Sequence, residues 1–109
     1  MKVAIVGSRN LHVEDIGKYI PEGVTEIISG GAFGIDSCAR LYARQHGLKM
    51  TEFFPNYRSY GRSAPLVRNK LIVEASDYVL ALWDSKSRGT KFSIDYAKQI
   101  GKPVEVVIL

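Results

Sequence analysis

Short apolar runs rich in β-branched residues recur along the chain, and between them apolar positions return every three or four residues. A short apolar run with glycine at one end and an amphipathic segment after it is typical of a buried parallel strand followed by a crossover helix. The pattern predicts five strands. They cover Lys2 to Val6, Thr25 to Ser29, Lys49 to Phe54, Asp77 to Trp83 and Val104 to Ile108.

Four helices are predicted between these strands. Pro21 and Gly47 close the first two, because proline cannot continue a helix and glycine readily adopts the left-handed conformation that ends one. Ser63 and Thr90 are the predicted N-caps of the last two, since their hydroxyl groups can accept hydrogen bonds from first-turn N–H groups. The helices cover residues 13 to 20, 35 to 46, 64 to about 75 and 91 to 100.

The alternation of strands and helices predicts one domain over residues 1 to 109, because the chain has no repeat, linker or low-complexity tract. Right-handed crossovers make such a chain an α/β, Rossmann-like, doubly wound sheet of five parallel strands. In these sheets ligands bind at the carboxyl ends of the strands. The loops that follow the first four strands are therefore the place to look for a site.

The composition is that of an ordinary globular domain, with 46% hydrophobic and 24% charged residues. No apolar run approaches the roughly 20 residues that span a bilayer, and we expect no secretory signal. The lone cysteine, Cys38, cannot form an intrachain disulfide, and it lacks metal-ligand spacing with His12 or His46. We therefore expect a cytoplasmic protein with no membrane contact, no metal and no cofactor.

The net charge of +4 is concentrated in one segment. Residues Pro55 to Val73 contain four cations and no acid, so this segment alone accounts for the whole net charge. A local excess of this kind suits an anionic ligand better than a basic coat over the whole surface does. We expect a phosphate-bearing small molecule before a long nucleic acid. The four cations are Arg58, Arg62, Arg68 and Lys70.

The first two loops are rich in glycine. Glycine at a strand end lets a ligand approach the backbone, and the helix N-terminus that follows offers N–H groups to an anion. The second loop is neither a Walker loop nor a G-x-G-x-x-G fingerprint. Each loop also allows a purely structural interpretation as a strand-to-helix turn. The predicted ligand-binding residues here are Gly7, Ser8, Arg9, Ser29, Gly30, Gly31, Gly34 and Asp36.

The third and fourth loops add cations, aromatic rings and hydroxyl groups. Arginine can hold a phosphate through two hydrogen bonds, asparagine can contact a base or sugar edge, and tyrosine can stack on a base. The alternative is a solvated basic loop, followed by a threonine that serves only as an N-cap. The predicted ligand-binding residues here are Tyr60, Arg68, Asn69, Arg88, Gly89 and Thr90.

Taken in order and spacing, these motifs resemble the YspA-like (cpYpsA-related) branch of the SLOG superfamily, from roughly Val3 to Val104. The superfamily also contains the Lonely Guy phosphoribohydrolases and the Rossmann core of the DprA/Smf DNA-processing proteins. The resemblance implies strand order 3-2-1-4-5 and a nucleotide or nucleotide-derived ligand. It also implies a homo-oligomer, because SLOG relatives are often dimers or larger.

The resemblance leaves the activity open. Lonely Guy enzymes carry a motif that ends in a catalytic glutamate, and this chain has Ser93 at the matching position, so we assign no catalytic residue. We expect a module that binds or senses a phosphorylated nucleoside or nucleotide sugar. One alternative is an enzyme acting on N-glycosidic bonds through Asp36, Asp84 or Asp95. The other, less favoured here, is DprA/Smf-like nucleic-acid binding through the tyrosines and arginines.

Overall fold

The computed structural model describes residues 1–31 and 34–109. Ala32 and Phe33, which belong to the second glycine-rich loop, lie outside the described residues. All five predicted strands are present in one parallel sheet with the order β3-β2-β1-β4-β5, so the predicted fold class and strand order are confirmed. The strands are β1 (Lys2–Gly7), β2 (Glu26–Ser29), β3 (Lys49–Glu52), β4 (Tyr78–Trp83) and β5 (Val104–Ile108).

The central strand of the sheet is β1, which pairs with β4 on one side, and each of these two strands has four consecutive buried residues. Their register pairs Val3 with Tyr78 and Gly7 with Leu82, so the two strands end side by side. The chain reverses its direction of travel across the sheet between these strands, which is the point where ligands bind in open α/β sheets. The loops after β1 and β4 therefore meet at this edge.

Helices cover both faces of the sheet. One helix packs on the face formed by Val3, Ile5 and Ile27, and two longer ones pack on the opposite face, formed by Ala4 and Ile28 with their neighbours. None of the helices within residues 1–31 and 34–109 is long and apolar enough to cross a membrane. The helices are α1 (Ile35–Gln45), α2 (Tyr57–Tyr60), α3 (Ala64–Ala75) and α4 (Arg88–Gln99).

The predicted helix over residues 13 to 20 is wrong, because this segment holds only a 3₁₀ turn at Ile16–Tyr19. Asp15 stands before the turn but makes no capping hydrogen bond through its side chain, and Gly17 is a weak helix former. A Cβ at Gly17 would lie 2.9 Å from the ring of Tyr42 in α1, so the segment packs closely against α1 at this residue. Its apolar side chains still reach the core, and Ile16 is buried.

The predicted N-cap of the fourth helix is also wrong. Ser87, not Thr90, is the N-cap of α4, and its hydroxyl accepts a hydrogen bond from the Thr90 backbone N–H at 3.4 Å. Thr90 lies in the first turn and is buried. Ser63 does precede α3, but its side chain makes no capping hydrogen bond, because the 3₁₀ turn Gly61–Ser63 leads directly into the helix.

Candidate functional site

A cleft of about 430 Å³ opens at the carboxyl edge of the sheet, between α3 and α4. Three of the four predicted regions reach it through their strand-to-helix loops or the first helical turn. The third region reaches it only through α3, because none of residues 55–63 lines the cleft. Nine predicted ligand-binding residues line it: Gly7, Ser8, Arg9, Gly30, Asp36, Arg68, Asn69, Gly89 and Thr90.

Arg68 links three of the elements around the cleft. Its Nη1 donates to the carbonyl oxygen of Gly30 at 3.1 Å, and its Nε donates to Oδ1 of Asn69 at 2.9 Å. The amide of Asn69 in turn donates to the carbonyl oxygen of Gly89 at 3.4 Å. The guanidinium group is thus held by the loop after β2, by its own helix and, through Asn69, by the first turn of α4.

The charge balance around Arg68 favours an anion. Burial lowers the pKa of the Arg68 guanidinium below its ordinary value, the carboxylate of Asp36 raises it in part, and the positive charge of Arg9 lowers it further. Arginine nevertheless remains protonated in proteins. The cleft therefore contains two repelling cations, Arg9 and Arg68, and one half-buried carboxylate that offsets only part of their charge.

Gly30 is required by this arrangement. A Cβ at this position would lie 2.8 Å from Nη1 of Arg68 and 3.1 Å from Oδ2 of Asp36. Any larger residue would therefore push the guanidinium group away from the loop after β2. The glycine that sequence analysis assigned to a ligand contact thus has a second role, which is to let Arg68 and Asp36 approach the backbone.

Ser8 ties the loop after β1 to the loop after β4. Its buried hydroxyl accepts a hydrogen bond from the Asp84 backbone N–H at 3.3 Å. Asp84 stabilises the turn that follows, because its Oδ1 accepts hydrogen bonds from the backbone N–H groups of Lys86 and Ser87, both at 2.8 Å. These two hydrogen bonds lower the pKa of Asp84 below its ordinary value. The turn places Ser87 as the N-cap of α4.

Five predicted site residues do not line the cleft. Ser29 is fully buried at the end of β2, and its hydroxyl has no hydrogen-bond partner among the described residues. Gly31 and Gly34 both have φ angles of 70°, which glycine adopts without strain. Their role is therefore to let the loop backbone adopt this conformation. Tyr60, at the end of α2, and Arg88, at the start of α4, are exposed outside the cleft.

Several side chains that line the cleft were not predicted from the sequence. Ser87 has a recognisable signal, since serine and threonine are both preferred N-cap residues, but the cap was assigned to Thr90 instead. The apolar wall, which includes Pro65, Leu66 and Ile72, gives no sequence signal of its own. Apolar residues in α3 are expected in any helix that packs on a sheet.

The three carboxylates considered for catalysis are placed differently. Asp36 lines the cleft, whereas Asp84 is engaged by two backbone N–H groups and Asp95 is paired with Lys91 at 2.8 Å on the exposed side of α4. Within residues 1–31 and 34–109, no group of three or more His, Cys, Asp or Glu side chains lies close enough together to hold a metal ion.

No family model and no curated protein matches this chain. Two solved structures of DNA processing protein A (DprA) are similar to it. The protein from Streptococcus pneumoniae has a TM-score of 0.78 and 22% identity, over 96% of this chain and 49% of that one. The protein from Helicobacter pylori, described for its single-stranded DNA binding mode, has a TM-score of 0.72 and 25% identity, over 97% of this chain and 64% of that one.

These likenesses establish the Rossmann-like fold and connect it to the DprA/Smf side of the predicted resemblance. The chain spans about half the length of the first DprA structure and less than two thirds of the second. The shared region is thus one part of each neighbour, and it covers nearly all of this chain.

Proposed function

We propose that the cleft binds single-stranded DNA and that Arg68 holds a phosphate group of the strand. The observation that carries the proposal is the half-buried Arg68 guanidinium, which faces the same cleft as Arg9 and the N-terminal turn of α4. The similarity to the Helicobacter pylori DprA, described for its binding of single-stranded DNA, supports DNA as the ligand. We therefore favour single-stranded DNA over the nucleotide-derived small molecule that the sequence led us to expect.

A phosphate in the cleft would be stabilised by three kinds of group. Arginine can donate two parallel hydrogen bonds to one phosphate, and a second arginine adds a fixed charge. The N-terminal turn of α4, which lines the cleft with Gly89 and Thr90, contributes a partial positive charge. Burial is the main cause of the lowered pKa of Arg68, and an anion between Arg9 and Arg68 relieves the smaller contribution from the charge of Arg9.

The experiment is a fluorescence anisotropy titration with a labelled oligothymidylate of about 20 nucleotides, longer than the roughly 4–16 nucleotides that one small domain covers. We expect Arg68→Ala to weaken binding about 30-fold, the equivalent of ~2 kcal/mol for a charge-assisted contact. The matched control is Arg44→Ala, which removes an exposed arginine near the end of α1. Arg44 lies outside the cleft, so its loss should change affinity less than about twofold.

Salt dependence gives a second measurement of the same contact. Each phosphate neutralised on a single strand contributes a slope of about −0.7 to the plot of log K against log salt concentration. Arg68→Ala should therefore make this slope less steep by about 0.7. An unchanged slope and affinity would show that Arg68 does not contact the phosphate backbone.

A nucleotide-derived small molecule, sensed as in the YspA-like branch, is the second candidate. The observation in its favour is the size of the cleft, about 430 Å³, which falls in the range of small-molecule sites. Of the four cations between Pro55 and Val73, moreover, only Arg68 lines it. Competition decides between the two candidates: if thymidine monophosphate binds as tightly as the oligonucleotide, the small molecule is the ligand.

We also expect a homo-oligomer in the cytoplasm. The edge strand β5 ends in Ile108, which is 64% exposed, so this edge offers apolar surface to a second copy. Light scattering at ~100 μM, a concentration that detects weak self-association, should give a mass above that of one chain. A mass of 12.1 kDa would contradict the expectation without affecting the cleft.

A further inference from the structure

Phe54 is an exposed aromatic residue beside the cleft. It follows β3 and is 66% exposed, the highest value among the exposed large apolar residues of the described chain. Its neighbour Phe53, in contrast, packs into the core between the sheet and the two long helices. Sequence analysis treated both as the end of a strand. The Phe54 ring is therefore available to a ligand, unlike the ring of Phe53.

One edge of the Phe54 ring lies against Gly31. A Cβ at Gly31 would lie 2.5 Å from Cε1 and 2.9 Å from Cζ of Phe54, so the ring edge rests on the backbone of this glycine. The adjacent Glu52 carboxylate is paired with Arg40 at 3.0 Å and is thereby partly neutralised. The contact anchors one edge of the ring, and most of the ring surface remains open to a ligand.

The ring and the proposed phosphate site lie on consecutive residues of one loop. Arg68 donates to the carbonyl oxygen of Gly30, and Phe54 rests on Gly31. Because consecutive Cα atoms are about 3.8 Å apart, the Arg68 guanidinium and the Phe54 ring lie within roughly 12 Å of each other. Three or four nucleotides of stacked strand, at about 3.4 Å each, are therefore enough to reach both groups.

We infer that Phe54 stacks on a nucleobase of the same single strand whose phosphate contacts Arg68, an inference that rests on the proposed function. A cation beside an exposed ring is the combination that binds single strands, because it addresses the phosphate and the base of one ligand. The segment that follows Phe54 carries four cations and no acid, which suits a polyanion. The strand thus meets a charged cleft on one side of the Gly30–Gly31 loop and an aromatic ring on the other.

The test compares two oligonucleotides with the same number of phosphates, an oligothymidylate and an abasic strand built on tetrahydrofuran. Phe54→Ala should weaken binding of the oligothymidylate by about tenfold, within the range for losing one base-stacking contact. It should leave binding of the abasic strand unchanged within about twofold, because the phosphate contacts are intact. Arg68→Ala should weaken binding of both strands.

Three further variants make the result specific. Phe54→Tyr should keep the wild-type preference for the strand with bases, whereas Phe54→Leu, which keeps apolar surface without a π-face, should lose it. Leu41→Ala is the matched control, because Leu41 is 51% exposed and belongs to α1, on the face of the sheet opposite the cleft. Circular dichroism and thermal melts verify that each variant is folded.

Each outcome separates this inference from the proposed function. If wild type binds neither strand, both are wrong. If binding depends on Arg68 but Phe54→Ala binds both strands as wild type does, only the stacking is wrong. An equal loss on both strands also overturns the stacking, because it shows that Phe54 acts by holding the Gly31 loop rather than by contacting a base.

Discussion

Two cavities of similar size flank this sheet, and their linings differ in charge. The cleft between α3 and α4 measures about 430 Å³ and contains Arg9 and Arg68. A second cavity of about 530 Å³ lies beside α1, on the opposite face, and is lined by Glu14 and Asp15. The described residues of its lining include no lysine or arginine. The larger cavity is therefore the poorer anion site, and charge rather than volume distinguishes the two.

The cavities also differ in origin. The cleft lies where regular helices begin or pass the ends of buried strands, as expected of a doubly wound sheet. The second cavity lies between α1 and the irregular segment where the predicted helix does not form. There the Cys38 Sγ accepts a hydrogen bond from the Val13 N–H at 3.4 Å and contacts Nδ1 of His12 at 3.5 Å. In the second cavity, these polar groups of Cys38, Val13 and His12 thus contact one another.

An added acid should affect the two cavities very differently. Ser93 lies in the cleft wall, is 1% exposed, and donates to the carbonyl oxygen of Gly89 at 3.2 Å. Ser93→Glu would force a longer, charged side chain into this buried position and should lower the free energy of unfolding by about 4 kcal/mol through overpacking and desolvation. Gln45→Glu, at the exposed rim of the second cavity, should change it by less than about 0.5 kcal/mol. Urea denaturation measures both, and equal effects would contradict the contrast.

The two ends of α1 should respond unequally to the same substitution. Gly34 and Gly47 both have positive φ angles, but a Cβ at Gly34 would lie 2.4 Å from the carbonyl oxygen of Arg9, whereas a Cβ at Gly47 would meet nothing within 4 Å. Gly34→Ala should destabilise the fold by about 3 kcal/mol through strain and overpacking, and Gly47→Ala by about 1 kcal/mol through strain alone. Thermal melts of the two variants should differ by more than about 8 °C.

The charge contrast itself can be tested at the mouths of the two cavities. Arg9→Ala should weaken oligothymidylate binding about fivefold, because an exposed arginine contributes roughly 1 kcal/mol to a phosphate contact. Glu14→Gln, which makes the second cavity less acidic, should leave binding within about twofold of wild type. If Glu14→Gln instead strengthened binding as much as Arg9→Ala weakened it, net charge rather than the cleft would govern affinity.

Sequence reasoning was accurate where one physical rule dominates. Buried parallel strands need continuous apolar residues, so the runs ending near Gly7 and Trp83 could be assigned without coordinates. The failed helix had the right apolar spacing, yet its residues reach the core from a 3₁₀ turn, where Gly17 packs against the ring of Tyr42 in α1. That constraint is tertiary, and no local pattern records it.

The same limit applies to the cleft. Residues in strand-to-helix loops, such as Ser8 and Gly30, reach the sheet edge because the topology brings the loops together. Helix positions depend on the rotation of the helix about its axis, so Arg68 lines the cleft while Arg88 points elsewhere. Phe54 could not be found from sequence, since an exposed ring at a strand end has the same spacing as a buried one.

The smallest expected effect concerns the turn before α4. The N–H groups of Ser87 and Lys86 donate to Asp84 and lower its pKa, so the ionised carboxylate stabilises the folded state. This stabilisation is present above the ordinary carboxyl pKa of about 3.9 and is lost as the pH falls through the lower pKa of the folded protein. Asp84→Asn should therefore lower the Tm slightly at pH 7, and the difference from wild type should shrink on acidification below about pH 4.

The control for this prediction comes from the other cavity. Asp15→Asn removes the same charge beside the second cavity, where the Asp15 side chain makes no capping hydrogen bond to the 3₁₀ turn. Its Tm at pH 7 should stay nearer to wild type than that of Asp84→Asn, because no turn depends on it. A Tm difference for Asp84→Asn that stayed constant from pH 7 to pH 2 would show that the carboxylate charge does not hold this turn. The position of α4 beside the cleft would then depend on the neutral hydrogen bonds of Ser87 and Ser8 alone.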